Sequence, residues 1–193
     1  MRIAHPRRVV GRNQRGAVIA SWTPKAKAFW SLLAVLMLAD CSTKRLAVYH
    51  LSPPYIPHEV LGDWFRFTLA YNRGAAMGVL FGPYSRFALS LTALLALALL
   101  GTLYRRGPAG DAWRAAALAL VAGGAAGNLL DRVRSARGVV DFIDVGVGDL
   151  RFWTFNMADI GITCGALLLA ILLARDPGTA DGAATPHETE ETS

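Results

Sequence analysis

Two carboxyl groups held close together where water is scarce can hydrolyse an amide. One, ionised, takes a proton from water; the other, neutral, donates to the carbonyl oxygen and then to the leaving amine. The 193-residue sequence carries several acids that could form such a pair, most of them with polar neighbours at helical spacing. Asp40 and Lys44 stand at i,i+4, Asn128, Asp131 and Arg132 at i, i+3 and i+4, and Asn156 and Asp159 at i,i+3; such spacings put side chains on one helix face. Asp40–Lys44 reads as a self-neutralising ion pair, and Asp131–Arg132 as a neighbouring pair that positions the chain at a membrane boundary. Asn128 and Asn156 suit hydrogen bonds between helices. Asp159 has no opposite charge within one turn and is the group least explained by structure alone. Asp141 sits between Val140 and Phe142, where desolvation would raise its pKa, and with Asp159 it would make a proton-sharing dyad. Spacing alone does not select Asp141 over Asp131 or Asp144. Other chemistries find less support. The histidines (His5, His50, His58, His187) are scattered, the cysteines (Cys41, Cys164) lie in apolar runs, and neither HExxH nor CxxC occurs, so no metal or other cofactor is expected. Ser42 and Lys44, at i,i+2, point to different helix faces and do not make a Ser/Lys peptidase.

The elements that must position these groups are apolar. Hydrophobic residues make up 53% of the chain and charged residues 18%, and the mean hydropathy is +0.35; soluble domains have about a quarter charged. Four stretches approach the roughly 20 residues needed to cross a bilayer: 28–48, 87–104, about 115–130 with a further turn at its start, and about 155–174. Depth follows from a rise of 1.5 Å per residue. Asp40 falls roughly 18 Å, Asn128 roughly 20 Å and Asp159 roughly 24 Å from the inner face of a core about 30 Å thick. Three helices thus bring polar groups to nearly one level in the outer half. Gly123, Gly124 and Gly127 suit close helix contact.

Charge gives the orientation. Residues 1–27 hold seven bases and no acid, the loop between spans two and three holds Arg105, Arg106 and Arg114, and residues 176–193 hold acids only. Bases on the cytoplasmic side put both termini inside and the longer connections, 49–86 and 131–154, outside. The basic segment abuts an apolar run, so it reads as topogenic rather than as a nucleic-acid arm. Both tails, 1–27 and 175–193, have the composition of disordered chain. The segment 131–152 breaks the charge rule with four arginines, matched by four aspartates, and its charges need a reason. In the first outer segment, Pro53, Pro54 and Pro57 mark residues 49–60 as irregular, and residues 64–71 (WFRFTLAY) alternate as a strand does.

Together these residues resemble the lipoprotein signal peptidase family, signal peptidase II. Asp40-Cys41-Ser42-Thr43-Lys44 is similar to its D-x-x-[ST]-K motif and Asn72-Arg73-Gly74-Ala75-Ala76 to N-x-G-A-A. The segment 123–132 is similar to G-G-x-x-G-N-x-x-D-R, Val139-Val140-Asp141-Phe142 to V-V-D-F, and Phe155-Asn156-Met157-Ala158-Asp159 to F-N-x-A-D. Met77 stands where the family often has Phe. The resemblance implies a mostly α membrane protein: a peptidase domain over 28–174 with four transmembrane helices and a small extracytoplasmic β-cradle at about 49–80. It implies an aspartic dyad at Asp141 and Asp159, with Asp40, Lys44, Asn72, Gly74, Asn128, Arg132 and Asn156 shaping the site. The implied substrates are diacylglyceryl-modified prolipoproteins in the bacterial inner membrane, cut just before the lipidated cysteine, with membrane lipid as the other partner and no nucleic acid or metal. The alternative is a small ion-coupled transporter using the intramembrane Asp and Lys groups. It would need polar groups at both membrane faces, and the inner halves of the spans are almost purely apolar.

Overall fold

The computed structural model describes residues 22–74 and 84–175. Four helices are long and apolar enough to cross a membrane: α1 (Pro24–His50), α2 (Ser85–Arg106), α3 (Ala112–Arg134) and α4 (Met157–Ala174). Four strands, β1 (Pro57–Leu61), β2 (Phe65–Asn72), β3 (Val139–Val147) and β4 (Leu150–Arg151), form one antiparallel sheet in sequence order. Of the two tails expected to be disordered, 1–21 and 176–193 lie outside the described residues, as do Ala75, Ala76 and Met77 of the first outer segment.

α1 and α3 run past their apolar stretches because polar residues cap them. Thr23 accepts the Ala26 N–H and Pro24 opens α1, so residues 24–27 of the basic segment are helical. Lys25 also donates to Gly107 O and lies over the Tyr104 ring, pinning α1 to the end of α2. Asp111 caps α3 through the Arg114 N–H. That helix continues a turn beyond the expected Leu130, which leaves Asp131 and Arg132 helical.

α3 is the central helix, and small residues let its neighbours approach. A Cβ on Gly124 would strike Ala158 O of α4, and one on Gly127 would strike the Asp40 carboxylate of α1. The expectation of close contact at these glycines is met. At the end remote from the sheet, Phe29, Leu100, Ala115, Leu118, Ala119 and Ala122 join α1, α2 and α3 in an apolar core.

The sheet departs from the sequence reading in two ways. Pro57 opens a strand inside a stretch expected to be irregular; β1 is a fully exposed edge, where proline is tolerated. The cradle is also not confined to 49–80. Its longest strand, β3, comes from the second outer segment and pairs with β2 from Phe65↔Val145 to Asn72↔Val139. Ala47, Phe142 and Ile143, with Phe65, Phe67 and Phe155, pack this sheet onto the end of α1.

Candidate active site

Asp141 lies near the start of β3, opposite Ala70 of β2. The chain leading into α4 is zipped to the same strand: the Phe142 and Ile143 N–H groups donate to Phe155 O, and the Phe155 N–H donates to Ile143 O. This pairing sets Asn156 beside Asp141 at the mouth of α4.

Asn156 is the N-cap of α4 and is fully buried. Its Oδ1 accepts the Asp159 N–H, and its own N–H donates to Asp159 Oδ2, each at 3.1 Å. This reciprocal capping box fixes the Asp159 carboxylate in the first turn, where the helix dipole favours negative charge. The Asn156 amide Nδ2 donates to Asp141 Oδ1 at 2.6 Å. One side chain therefore ties both aspartates, and Asn128 completes the tie by donating to Asp159 Oδ1 at 2.8 Å.

Lys44 sits behind this pair, 4% exposed. Its ammonium meets Asp40 Oδ2 at 2.8 Å, Asp131 Oδ2 at 3.0 Å and Asn128 Oδ1 at 2.9 Å. Asp40–Lys44 is the ion pair expected, with a wider reach. Asp131–Arg132 does not act as a pair: Asp131 turns to Lys44 and accepts the Val140 N–H, while Arg132 donates to Asn128 O and Gly74 O. Adjacent residues on a helix diverge by about 100°, which separates the two. Asn72 also hydrogen-bonds Asp141, and its Oδ1 accepts the Gly74 N–H.

Asp144 belongs elsewhere. It accepts from Arg66, Arg151 and Thr68 within the sheet. Burial alone would raise its carboxyl, but the bonds from Arg151 and Thr68 and the charges of Arg151 and Arg66 hold it below the usual range. Asp141 shows the opposite balance. Burial, then the charge of Asp159, push it up to about 7 against the pull of Asn156, Asn72 and Lys44.

Asp141 and Asp159 line one cavity of about 650 Å³ together with Asn72, Asn128 and Arg132. Its remaining wall is largely apolar, from Leu89, Ala93 and Ala96 of α2, Ile160 and Ile162 of α4, and the exposed rings of Phe152 and Trp153. Among the described residues no cluster of three or more His, Cys, Asp or Glu is suited to a metal ion. Nothing in the sequence signalled the Asp131–Val140 bond, or Arg86, which holds the end of α3 through Arg132 O and Val133 O.

The sequence profile of the signal peptidase (SPase) II family, Peptidase A8, matches residues 32–175. The chain belongs to this family. It is 38% identical over 145 residues to the lipoprotein signal peptidase of Pseudomonas putida, covering 74% of this chain and 84% of that protein. It is 40% identical over 155 residues to that of Pseudomonas fluorescens, covering 79% and 91%. With that of Chlorobium luteolum it shares 37% over 157 residues, covering 77% and 92%. Two solved bacterial membrane enzymes, determined by the in meso method at 2.3 Å and 1.9 Å, are similar in fold. The first has a TM-score of 0.69 and 26% identity over 81% of this chain and 93% of its own. The second has 0.66 and 28% over 76% and 92%. The chain is thus an integral membrane peptidase of the signal peptidase II family, with a small antiparallel sheet on a four-helix membrane domain.

Proposed function

We propose that this protein removes the signal peptide from diacylglyceryl-modified prolipoproteins, cutting just before the lipidated cysteine, with Asp141 and Asp159 as its catalytic pair. The observation that carries the reading is that both carboxyls face one cavity while Asn156 bonds to each. The relatives' name supplies the substrate class.

In this reading Asp159, at the helix N-terminus, acts as the base and takes a proton from water as the oxygen attacks the scissile carbonyl carbon. Asp141, raised to about 7, gives its proton to the carbonyl oxygen. Asp159 then passes its proton to the leaving amine, the C–N bond breaks, and a proton from the diol returns to Asp141. Asn72, Asn128 and Asn156 orient the pair, Arg132 and Gly74 tie α3 to the end of β2, and Asp40 with Lys44 supports the site from behind. The acyl chains stay in lipid, and the peptide lies along the cradle with its bond held in line.

We place residues 28–174 as the peptidase domain in the inner membrane of a bacterium, with both termini cytoplasmic and the sheet outside, on the Lys and Arg distribution. A transporter would need polar groups at the end remote from the sheet, where Phe29, Leu100 and Leu118 pack instead.

Asp141→Asn and Asp159→Asn, purified and given a lipidated precursor, are expected to lose cleavage while keeping the parent's fold. Cleavage by either at the parent rate would reject the dyad, and equal cleavage of an unlipidated precursor would reject the substrate class.

A further inference from the structure

Three of the four arginines of the second outer segment acquire partners in the structure. Arg132 holds Asn128 O and Gly74 O, Arg151 holds Asp144, and Arg137 donates to the Tyr71 hydroxyl and covers its ring. Arg134 has no hydrogen bond or ion pair among the described residues, and neither has Arg45 of α1. Both are exposed, and both line a second cavity of about 570 Å³.

This cavity lies between the sheet ends of α1 and α3. Cys41, Val48 and Tyr49 of α1 and Val140 of β3 give it apolar walls. Lys44 and Asp131 also line it, with Lys44 shared between Asp131 and Asp40; Arg45 and Arg134 together outweigh the remaining acid and leave the site net positive. Beside the cavity, toward the middle of α1, Leu38, one turn from Cys41 on the same helix face, is 68% exposed. Tyr49, 81% exposed, is an aromatic residue of the kind found at headgroup level.

The geometry points to a binding site for an acidic phospholipid, with Arg45 and Arg134 on its phosphodiester and an acyl chain lying along Leu38 and Cys41. Guanidinium groups suit this role because their forked donors match phosphate oxygens. The apolar walls and the position at a transmembrane helix end favour a lipid over a free anion. The site is separate from the cavity of Asp141 and Asp159 and does not rest on the proposed mechanism.

The test is native mass spectrometry of the full chain in detergent, titrated with dioleoylphosphatidylglycerol, dioleoylphosphatidylcholine or inorganic phosphate. The parent is expected to bind phosphatidylglycerol in preference to phosphatidylcholine, with inorganic phosphate failing to displace it. Arg45→Gln and Arg134→Gln should each weaken phosphatidylglycerol about tenfold, the loss of one charge-assisted contact. Phosphatidylcholine has the same phosphodiester but its choline offsets the charge, so its already weaker binding should fall less, and precursor cleavage in detergent should stay unchanged. The double Arg→Lys variant keeps the charge and should keep the preference, which guards against misfolding of the Gln variants. Equal binding of the two lipids, displacement by phosphate, undiminished binding by the double Gln variant, or loss of preference in the double Lys variant would each overturn the proposal.

Discussion

Asp40 Oδ1 accepts the backbone N–H of Ala158 at 3.0 Å, across 118 positions of sequence. A carboxylate on α1 thereby caps the first turn of α4, the turn that carries Asp159, while its other oxygen meets Lys44. Asp40→Ala is expected to leave an uncapped N–H and a buried ammonium short of charge, at a cost of about 3–5 kcal/mol. Asp40→Asn keeps an acceptor for Ala158 and should cost less. Thermal unfolding in detergent ranks the three proteins, and an Asp40→Ala variant melting with the parent would contradict the role.

The sequence shows the helices and their polar level plainly, because run length and the rise per residue are enough to place Asp40, Asn128 and Asp159 at a common depth. It does not show the Asp40–Ala158 bond, since no local spacing encodes a contact between the middle of one span and the start of another. β3 escapes for a different reason. Residues 139–147 do not alternate, as Asp141, Phe142, Ile143 and Asp144 are all buried. One aspartate faces the cavity and the other an arginine network, and neither looks like a strand residue from its neighbours alone. β2 has an exposed edge partner and ordinary alternation over 64–71, and it is found within one residue, at Phe65–Asn72. The partner of Asp159 in the proposed dyad likewise could not be chosen among Asp131, Asp141 and Asp144 by spacing. Fold geometry separates them by giving Asp131 to Lys44 and Asp144 to Arg66 and Arg151.

The packing of α3 on α4 predicts a contrast between two glycines. Gly124→Ala would drive its methyl group into Ala158 O and Ile162, next to Asp159. A loss of about 1–3 kcal/mol is expected from overpacking, with reduced cleavage because the displaced backbone of α4 carries Asp159 of the proposed pair. Gly101 of α2 has nothing within 4 Å of an added Cβ, so Gly101→Ala should be neutral or gain up to about 1 kcal/mol in helix propensity. Melting curves of both variants test this, and equal effects would contradict it.

Asp144 is the anchor of the sheet. Its carboxylate meets Arg151 at 2.6 Å and Arg66 at 3.2 Å, joining β2 and β3 beside β4. Asp144→Ala leaves those two largely buried guanidiniums with Asp63 as their remaining ionic partner, and a loss of about 3–5 kcal/mol follows. The strand that carries Asp141 should loosen, so amide hydrogen exchange in 139–147 is expected to speed up while α2, outside this network, exchanges as before. Unchanged protection of β3 would remove Asp144 from this role.

The pH behaviour of Asp141 separates its effect on stability from its effect on cleavage. Its carboxyl titrates at about 7 in the folded chain against 3.8 for an unperturbed aspartate. Between those values the folded state holds a proton that the unfolded state has released, so stability falls as pH rises through this window. Asp141→Asn stays neutral throughout. It should therefore melt higher than the parent at pH 8 and close to it at pH 4, while cleaving nothing. In the parent, cleavage should decline above about pH 7 as Asp141 loses the proton it donates. Removing the Asn72 hydrogen bond, which favours the ionised form, should move that alkaline limb to higher pH in Asn72→Ala. A limb that stays in place, or a parent whose stability rises from pH 4 to pH 7 relative to Asp141→Asn, would show that Asp141 does not carry the shared proton.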